Sequence, residues 1–358
     1  MNHTIYYKSS IDMTELADNS VDLVVTSPPY PMIEMWDDIM MSQNGSDFDS
    51  KRPKLMFEQM HQMLDKVWSE CFRTLKNGSF MCINIGDATR NLNNNFALYT
   101  NASRITQFCE KLGFESLPCI IWRKPSNAPN KFMGSGMLPC GAYVTQEHEY
   151  ILIFRKNGKR EFKTETEKQN RRESGYFWEE RNEWFSDLWN VLGIRQKITF
   201  TQTRERNASF PIEIPYRLTN MFSVKNDVVL DPFIGLGTTM LASILSERNC
   251  VGYEIDKLLK QNHKDIIQNF DIEEANRLIY NRYLKHLKFV SDRISDRKEI
   301  KYENEKLKCL VMTNQETDIN FHYIKSVNVS DNDDAVYIVA DYDTRDINSG
   351  YLNTNILL

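Results

Sequence analysis

Long apolar runs are missing from this chain of 358 residues. No stretch approaches the ~18 uninterrupted apolar residues needed to cross a bilayer. The opening Met1-Asn2-His3-Thr4 has no basic patch followed by an apolar run, so neither a membrane span nor a secretory signal is expected. Cysteine is sparse: seven residues at 71, 82, 109, 119, 140, 250 and 309, odd in number and never spaced as C-x-x-C. That pattern argues against a disulfide framework or a zinc site and fits a reducing cytoplasm. The six histidines show no ligand spacing, so no metal is expected. No Gly-Lys-Ser/Thr follows a glycine turn, which excludes a phosphate-binding P-loop, and there is no internal repeat.

What is present is ordinary globular composition. Apolar residues make up 41% and charged residues 26%, which excludes a chain disordered throughout. The length suits about two domains. The formal charge of −5 lies wholly in residues 291–358, with 8 Lys/Arg against 13 Asp/Glu. Residues 155–206 hold 13 Lys/Arg against 9 Asp/Glu. A nucleic-acid partner therefore stays open, because phosphates respond to the local field and not to the sum.

Val21 to Thr26 reads as a buried parallel strand ended by Pro28-Pro29. Residues 55–75 read as a helix with Leu64, Val67, Trp68, Cys71 and Leu75 on one face. Strands are expected at 80–85, 117–122 and 149–154, with a helix at about 98–112. His148, beside the last of these strands, is read as structural. After an irregular stretch at 155–206, a helix to about 222 is followed by strand 227–230, a glycine turn, helix 238–247, strand 250–254 and helix 256–269. Strand–helix–strand alternation implies an α/β, doubly wound, mostly parallel sheet covered on both faces. Residues 271–358 read as an appended α+β piece.

Two loops carry the chemistry. Thr26-Ser27-Pro28-Pro29-Tyr30 follows the first buried strand. Alone, Pro-Pro-Tyr more often marks a turn whose tyrosine caps the core. Asp231-Pro232-Phe233-Ile234-Gly235-Leu236-Gly237-Thr238-Thr239 lies between a strand and a helix, where glycines let the backbone approach a ligand and the helix start offers free N–H groups. Glu254 closes the next strand, a place where an acid commonly holds a ribose hydroxyl pair.

Together these segments resemble the amino-methylating DNA methyltransferases that use S-adenosylmethionine. Ser27, Pro28, Pro29 and Tyr30 are similar to their catalytic loop, and Asp231 to Thr239 to their cofactor loop. Phe210-Pro211-Ile212-Glu213-Ile214-Pro215 is similar to the segment preceding that loop, and Glu147 to Lys156 to the strand closing the catalytic half. The catalytic loop comes first in the chain, as in the permuted β group. The resemblance implies a seven-stranded, circularly permuted sheet with Thr4-Ile5-Tyr6-Tyr7 supplying the missing third strand. It divides the chain into a catalytic half (1–155), a target-recognition region (156–206), a cofactor half (207–270) and an extension (271–358). It implies cofactor contacts from Phe210, Pro211, Asp231, Pro232, Phe233, Gly235, Gly237, Thr238, Thr239 and Glu254. Members often carry Gly-Asp near the end of the N-terminal strand; here Lys8-Ser9-Ser10-Ile11-Asp12 stands instead, so no adenine contact is assigned.

The exocyclic amino group of a base is a poor nucleophile because its lone pair is delocalised into the ring. Two acceptors, Ser27 Oγ and the Pro28 carbonyl, can grip its N–H bonds and turn the lone pair outward. The prolines stiffen the loop, and Tyr30 offers a face on which a flipped base stacks. Tyr30→Phe is therefore expected to be mild, and the released proton to go to water. Within the family Ser-Pro-Pro-Tyr mostly accompanies cytosine-N4 and Asp-Pro-Pro-Tyr adenine-N6. The expected activity is site-specific methylation of cytosine N4 in double-stranded DNA, with adenine N6 as the alternative. The enzyme would be a cytoplasmic monomer or homodimer paired with a restriction endonuclease. Arg171, Arg172, Arg195, Lys197 and Arg204 in the basic stretch are the expected DNA contacts, whereas its aromatics are read mostly as packing. A protein-glutamine methyltransferase and an idle DNA-binding subunit are the rivals. Ser27 and the motif order disfavour the first, and the intact pair of loops disfavours the second.

Overall fold

The computed structural model describes residues 1–44, 49, 51–124, 133–134, 137–191 and 210–343. Ten strands form one sheet: β1 (Asn2–Tyr6), β2 (Val21–Thr26), β3 (Leu75–Ile85), β4 (Phe114–Arg123), β5 (His148–Lys156), β6 (Leu188–Trp189), β7 (Val228–Asp231), β8 (Asn249–Tyr253), β9 (Tyr323–Asp331) and β10 (Ala335–Asp343). Their spatial order is β6-β4-β5-β3-β2-β7-β8-β1-β10-β9. The strands from β3 to β1 run parallel, while β5 is antiparallel to both β3 and β4.

β2 is buried at every position because it lies mid-sheet with both faces covered. Leu23 and Val25 face helix α6 (Glu213–Phe222). Val24 faces α2 (Pro53–Thr74) and α3 (Asn101–Leu112). The stripe Leu64, Val67, Trp68 and Cys71 of α2 is buried, as its spacing requires. α1 (Asp37–Asn44), not expected from the sequence, lies ahead of α2. On the other half, α7 (Thr238–Leu245) and α8 (Leu259–Gln268) share a core with the C-terminal part of the chain.

The N-terminal strand does complete the sheet. β1 pairs in parallel with β8 (His3 with Cys250 through Tyr6 with Tyr253), so the two ends of the doubly wound unit meet there. That unit is not closed at β1, however. The expected seven strands, β4, β5, β3, β2, β7, β8 and β1, form its heart; the two-residue β6 lies along β4 at one edge, and at the other β10 continues the sheet antiparallel along β1, with β9 outermost. The Met1 ammonium donates to the Ala340 carbonyl at 2.6 Å, and Ala340 N–H returns a bond to Met1 O at 2.9 Å. α9 (Ile272–Ser295) buttresses this edge, with the Asn276 amide bridging both backbone groups of Ile324 at 2.8 and 2.9 Å. The extension is thus sheet and core, because β1 is only five residues long and would otherwise be an exposed edge on the side away from β8.

The basic stretch is also structural where it is described. α4 (Glu165–Glu173) and α5 (Trp178–Trp184) pack against the extension. Phe177 stacks on His286 at 3.7 Å, and Arg282 holds the buried Glu180 at 2.8 Å. Phe177, Trp184 and Trp189 are buried, in keeping with their reading as packing. If β10 supports the sheet in this way, Ile338→Ala, at a position 1% exposed, should cost ~2–5 kcal/mol. A melting curve would show a large fall in Tm. Truncation after residue 270 should leave no soluble folded protein, as read by circular dichroism and gel filtration.

Candidate active site

β2 and β7 are neighbours, and the chain leaves their carboxyl ends in opposite directions: into the Ser27–Tyr30 loop from one and the Asp231–Gly237 loop from the other. Ligands of open α/β sheets bind at such a reversal. A cavity of about 320 Å³ opens there. It is lined by all four residues of the first loop and, on the other side, by Phe210, Asp231, Pro232, Phe233, Gly235, Thr238, Thr239 and Glu254. Of the residues assigned from the sequence to the two loops and their flanks, Pro211 and Gly237 do not line it. Pro211 lies two residues before α6, its carbonyl accepting from Ile214 N at 3.0 Å. Gly237, with φ +82°, precedes α7, where an added Cβ would sit 3.2 Å from Met240.

Asp231 is fully buried and is a tie rather than a free ligand group. Its Oδ1 accepts from Thr26 Oγ1 at 2.6 Å and from Phe233 N at 3.0 Å, and its Oδ2 accepts from Thr239 Oγ1 at 2.6 Å. Burial pushes its carboxyl up to about 6, against the pull of those donors. Asp231 and Thr239 were expected as cofactor contacts, but both side chains are engaged in holding the loop's shape.

A second tie runs beneath the glycine turn. His263 of α8 takes a 2.7 Å bond from the Tyr7 hydroxyl on Nδ1, and its Nε2 lies 2.7 Å from the Gly235 carbonyl. Nε2–H must donate to that carbonyl, so Nδ1 is the acceptor and the ring is neutral. Burial holds its pKa down at about 4. Nothing in the motif spacing marks His263, since it sits a helix away from the loop it holds.

On the catalytic-loop side the structure adds residues that motif reading passed over. The Tyr30 hydroxyl donates to Glu149 Oε2 at 2.8 Å and lies 3.3 Å from Ser27 Oγ. Asn84 Nδ2 donates to that hydroxyl at 2.8 Å and to Glu149 Oε2 at 2.7 Å. Lys124 closes the cluster on Glu149 Oε1 while its ammonium rests 4.4 Å over the Trp122 ring. Gly86 permits this crowding: a Cβ there would meet the Tyr30 ring at 3.1 Å and Glu149 at 3.3 Å. Burial, then the Glu149 charge, pushes the Tyr30 phenol well above its ordinary value. Tyr30 is therefore more than a stacking face, and the expectation that losing its hydroxyl is mild is revised, because three polar groups converge on that oxygen. Glu149 was legible only as part of a strand. A signal existed: β5 runs antiparallel, so its first residues lie at the cleft end of the sheet.

The expected DNA contacts separate. Arg195, Lys197 and Arg204 lie outside the described residues. Arg171 and Arg172 stand at the other end of the sheet. α4 is fixed near the amino end of β7 by a 2.8 Å bond from Asn170 to the Lys225 carbonyl. Arg172 pairs with Asp318 at 3.1 Å, and Arg171 lies 4.8 Å over the Phe162 ring. Their expected role at the DNA is corrected accordingly, since the cleft opens at the carboxyl ends.

The glycine turn beside the cavity, its apolar wall of Phe210 and Phe233, and the carboxylate of Glu254 at its rim suit an adenosine-bearing cofactor. Residues 21–269 match the family model described as DNA methylase. The chain is 48% identical over 329 residues to the type II methyltransferase M.MthZI of Methanothermobacter thermautotrophicus, covering 90% of each chain. It is 48% identical over 298 residues to the type II methyltransferase M.MjaI of Methanocaldococcus jannaschii, covering 77% of this chain and 97% of that one. Among solved structures, TTHA0409 of Thermus thermophilus, complexed with S-adenosyl-L-methionine, aligns with a TM-score of 0.56 and 30% identity, over 74% of this chain and 92% of that one. The PvuII DNA methyltransferase (cytosine-N4-specific) aligns with a TM-score of 0.56 at 17% identity, over 80% and 93%, a likeness of fold.

The two ties have opposite pH signatures. The folded-state pKa of His263, about 4, lies below its ordinary 6.5. Its stabilisation is complete above pH 6.5 and is lost as pH falls toward 4, because the unfolded chain takes up the proton first. Asp231 is raised from 3.8 to about 6, so its contribution declines as pH rises through that interval. In His263→Gln, unfolding free energy plotted against pH should lack on the order of 3 kcal/mol of the rise between pH 4 and 6.5. His3 and His61, both held near 3 by burial, should leave part of that slope. An unchanged slope in urea titrations across this range would remove His263 from the account.

Proposed function

This chain belongs to the DNA methylase family and uses S-adenosylmethionine, and on that premise we propose that it is a type II modification enzyme of the permuted β group. It methylates the exocyclic N4 of a cytosine flipped out of duplex DNA, protecting sites cut by a partner restriction endonuclease in the same cytoplasm. The observation that carries this reading is the facing pair of loops at the sheet reversal, with Ser27 presenting a hydroxyl rather than a carboxylate to the cavity. A neutral acceptor suits N4 of cytosine by the correlation within the family.

The roles follow from position. Glu254 is fixed at the end of β8, its N–H donating to the Tyr6 carbonyl at 2.9 Å, and faces a ribose diol. Phe210, Phe233 and the turn at Gly235 enclose the rest of the cofactor, which supplies an electrophilic methyl group on a positively charged sulfur. Ser27 Oγ and the Pro28 carbonyl hold the target amino group, and Pro28 and Pro29 keep both acceptors from relaxing. The Tyr30 ring supplies a stacking face. Arg195, Lys197 and Arg204 are assigned to the DNA on their charge and their place in the chain.

Hydrolysis of enzyme-treated DNA to nucleosides should give N4-methylcytidine; N6-methyladenosine would transfer the reading to the adenine branch. Glu254→Ala should weaken S-adenosylmethionine binding by calorimetry while leaving the melting curve unchanged, and undiminished affinity would remove Glu254 from the site. Ser27→Ala should bind cofactor and DNA normally and lower the single-turnover rate by ~10²–10³.

A further inference from the structure

A nitrogen that gains a methyl group must give up a proton. The hydrogen bonds around Tyr30 have a direction. Asn84 Nδ2 can only donate, and it donates both to Tyr30 Oη and to Glu149 Oε2. Glu149, as a carboxylate, can only accept, so the Tyr30 proton points at Oε2 across 2.8 Å. Tyr30 Oη is then an acceptor toward Ser27, and the Ser27 hydroxyl proton points at it across 3.3 Å. Asn84 Nδ2 also stands 3.5 Å from Ser27 Oγ, which leaves that oxygen's other lone pair to accept from a group in the cavity that Ser27 lines.

We propose that Ser27, Tyr30 and Glu149 form a proton relay that carries the proton of the target amino group to the Glu149 carboxylate. The proposal rests on the methyltransferase reading above. As the amino nitrogen becomes methylated it acquires positive charge, and its N–H bond breaks toward Ser27 Oγ. The Ser27 proton passes to Tyr30 Oη, and the Tyr30 proton passes to Glu149 Oε2. Each hydroxyl loses one proton and gains one. The net change is a neutral methylated amine and a neutral carboxylic acid, formed from a cationic amine and a carboxylate; the acid later releases its proton to water.

Asn84 and Lys124 act as positioning residues. Asn84, 3% exposed, sets the direction of both oxygens. Lys124 holds the other carboxylate oxygen, Oε1. Among the described residues, the ionisable groups facing Glu149 are Lys124 from the end of β4 and Tyr30 from the Ser27–Tyr30 loop. His148, next in the chain, turns its ring edge to Tyr150 at 4.9 Å.

Single-turnover methylation is measured from pH 5 to 9 for the wild type, Tyr30→Phe and Glu149→Gln. Melting curves, cofactor calorimetry and capture of a 2-aminopurine target base, read by fluorescence without turnover, are recorded beside it. The relay requires that both variants stay folded, bind cofactor and capture the base within about threefold of wild type. It also requires that they transfer methyl at least about a hundredfold more slowly and lose the acid limb of the wild-type pH–rate profile. Rates less than about a hundredfold below wild type overturn the relay, as does a slowed variant that keeps the acid limb. If Glu149→Gln misfolds, Tyr30→Phe, which keeps the ring, decides by the same criteria. A wild-type protein that transfers no methyl to DNA would instead end the methyltransferase reading itself.

Discussion

The carboxylate of Asp231 joins the pieces on which the cavity stands. It sits at the end of β7 and reaches sideways to Thr26 at the end of β2, forward to Phe233 in its own loop, and onward to Thr239 in the first turn of α7. The two strands carry loops that diverge, and nothing in their parallel pairing alone would keep those loops at a set separation. A buried carboxylate with three donors does so, because any movement of one loop would strand a polar group in an environment that cannot solvate it. Its raised pKa records the cost of that burial.

On each side of this tie the cavity has a different chemistry. The side of the glycine turn has an apolar wall, with the acids Glu254 and Asp256 at its rim and a neutral histidine fastening the turn from below. The catalytic side is a compact network of hydroxyl, amide, carboxylate and ammonium. In such a site preorganised dipoles count for more than they would in water.

The parts of the chain outside the two motif-bearing halves serve this arrangement at a distance. β1 lies beside β8, the strand that ends at Glu254, and is itself held on its other side by β10. α4 and α5 knit the amino ends of the strands to the extension through buried ion pairs and stacked rings. The basic residues there neutralise neighbouring acids, as Arg160 does for Asp227 at 2.6 and 2.9 Å. A local excess of positive charge in the sequence was therefore partly an internal counter-charge, which no count of residues separates from a surface patch.

The alternating sheet and the two loops were legible in the chain, because they rest on local pattern: β-branched runs, glycine turns and short motifs of adjacent residues. The cofactor and the meeting of β1 with β8 followed from the family that those motifs resemble. The folded chain shows what no local pattern does: β10 and β9 extend the sheet, Arg171 and Arg172 lie toward the amino ends of the strands, and Asn84, Lys124, Glu149 and His263 converge on the two loops. Those residues are separated from the loops they serve by a strand, a helix or more than a hundred positions. Their convergence depends on strand direction and register, and hydrogen bonds between distant residues leave no period in the chain from which to read them.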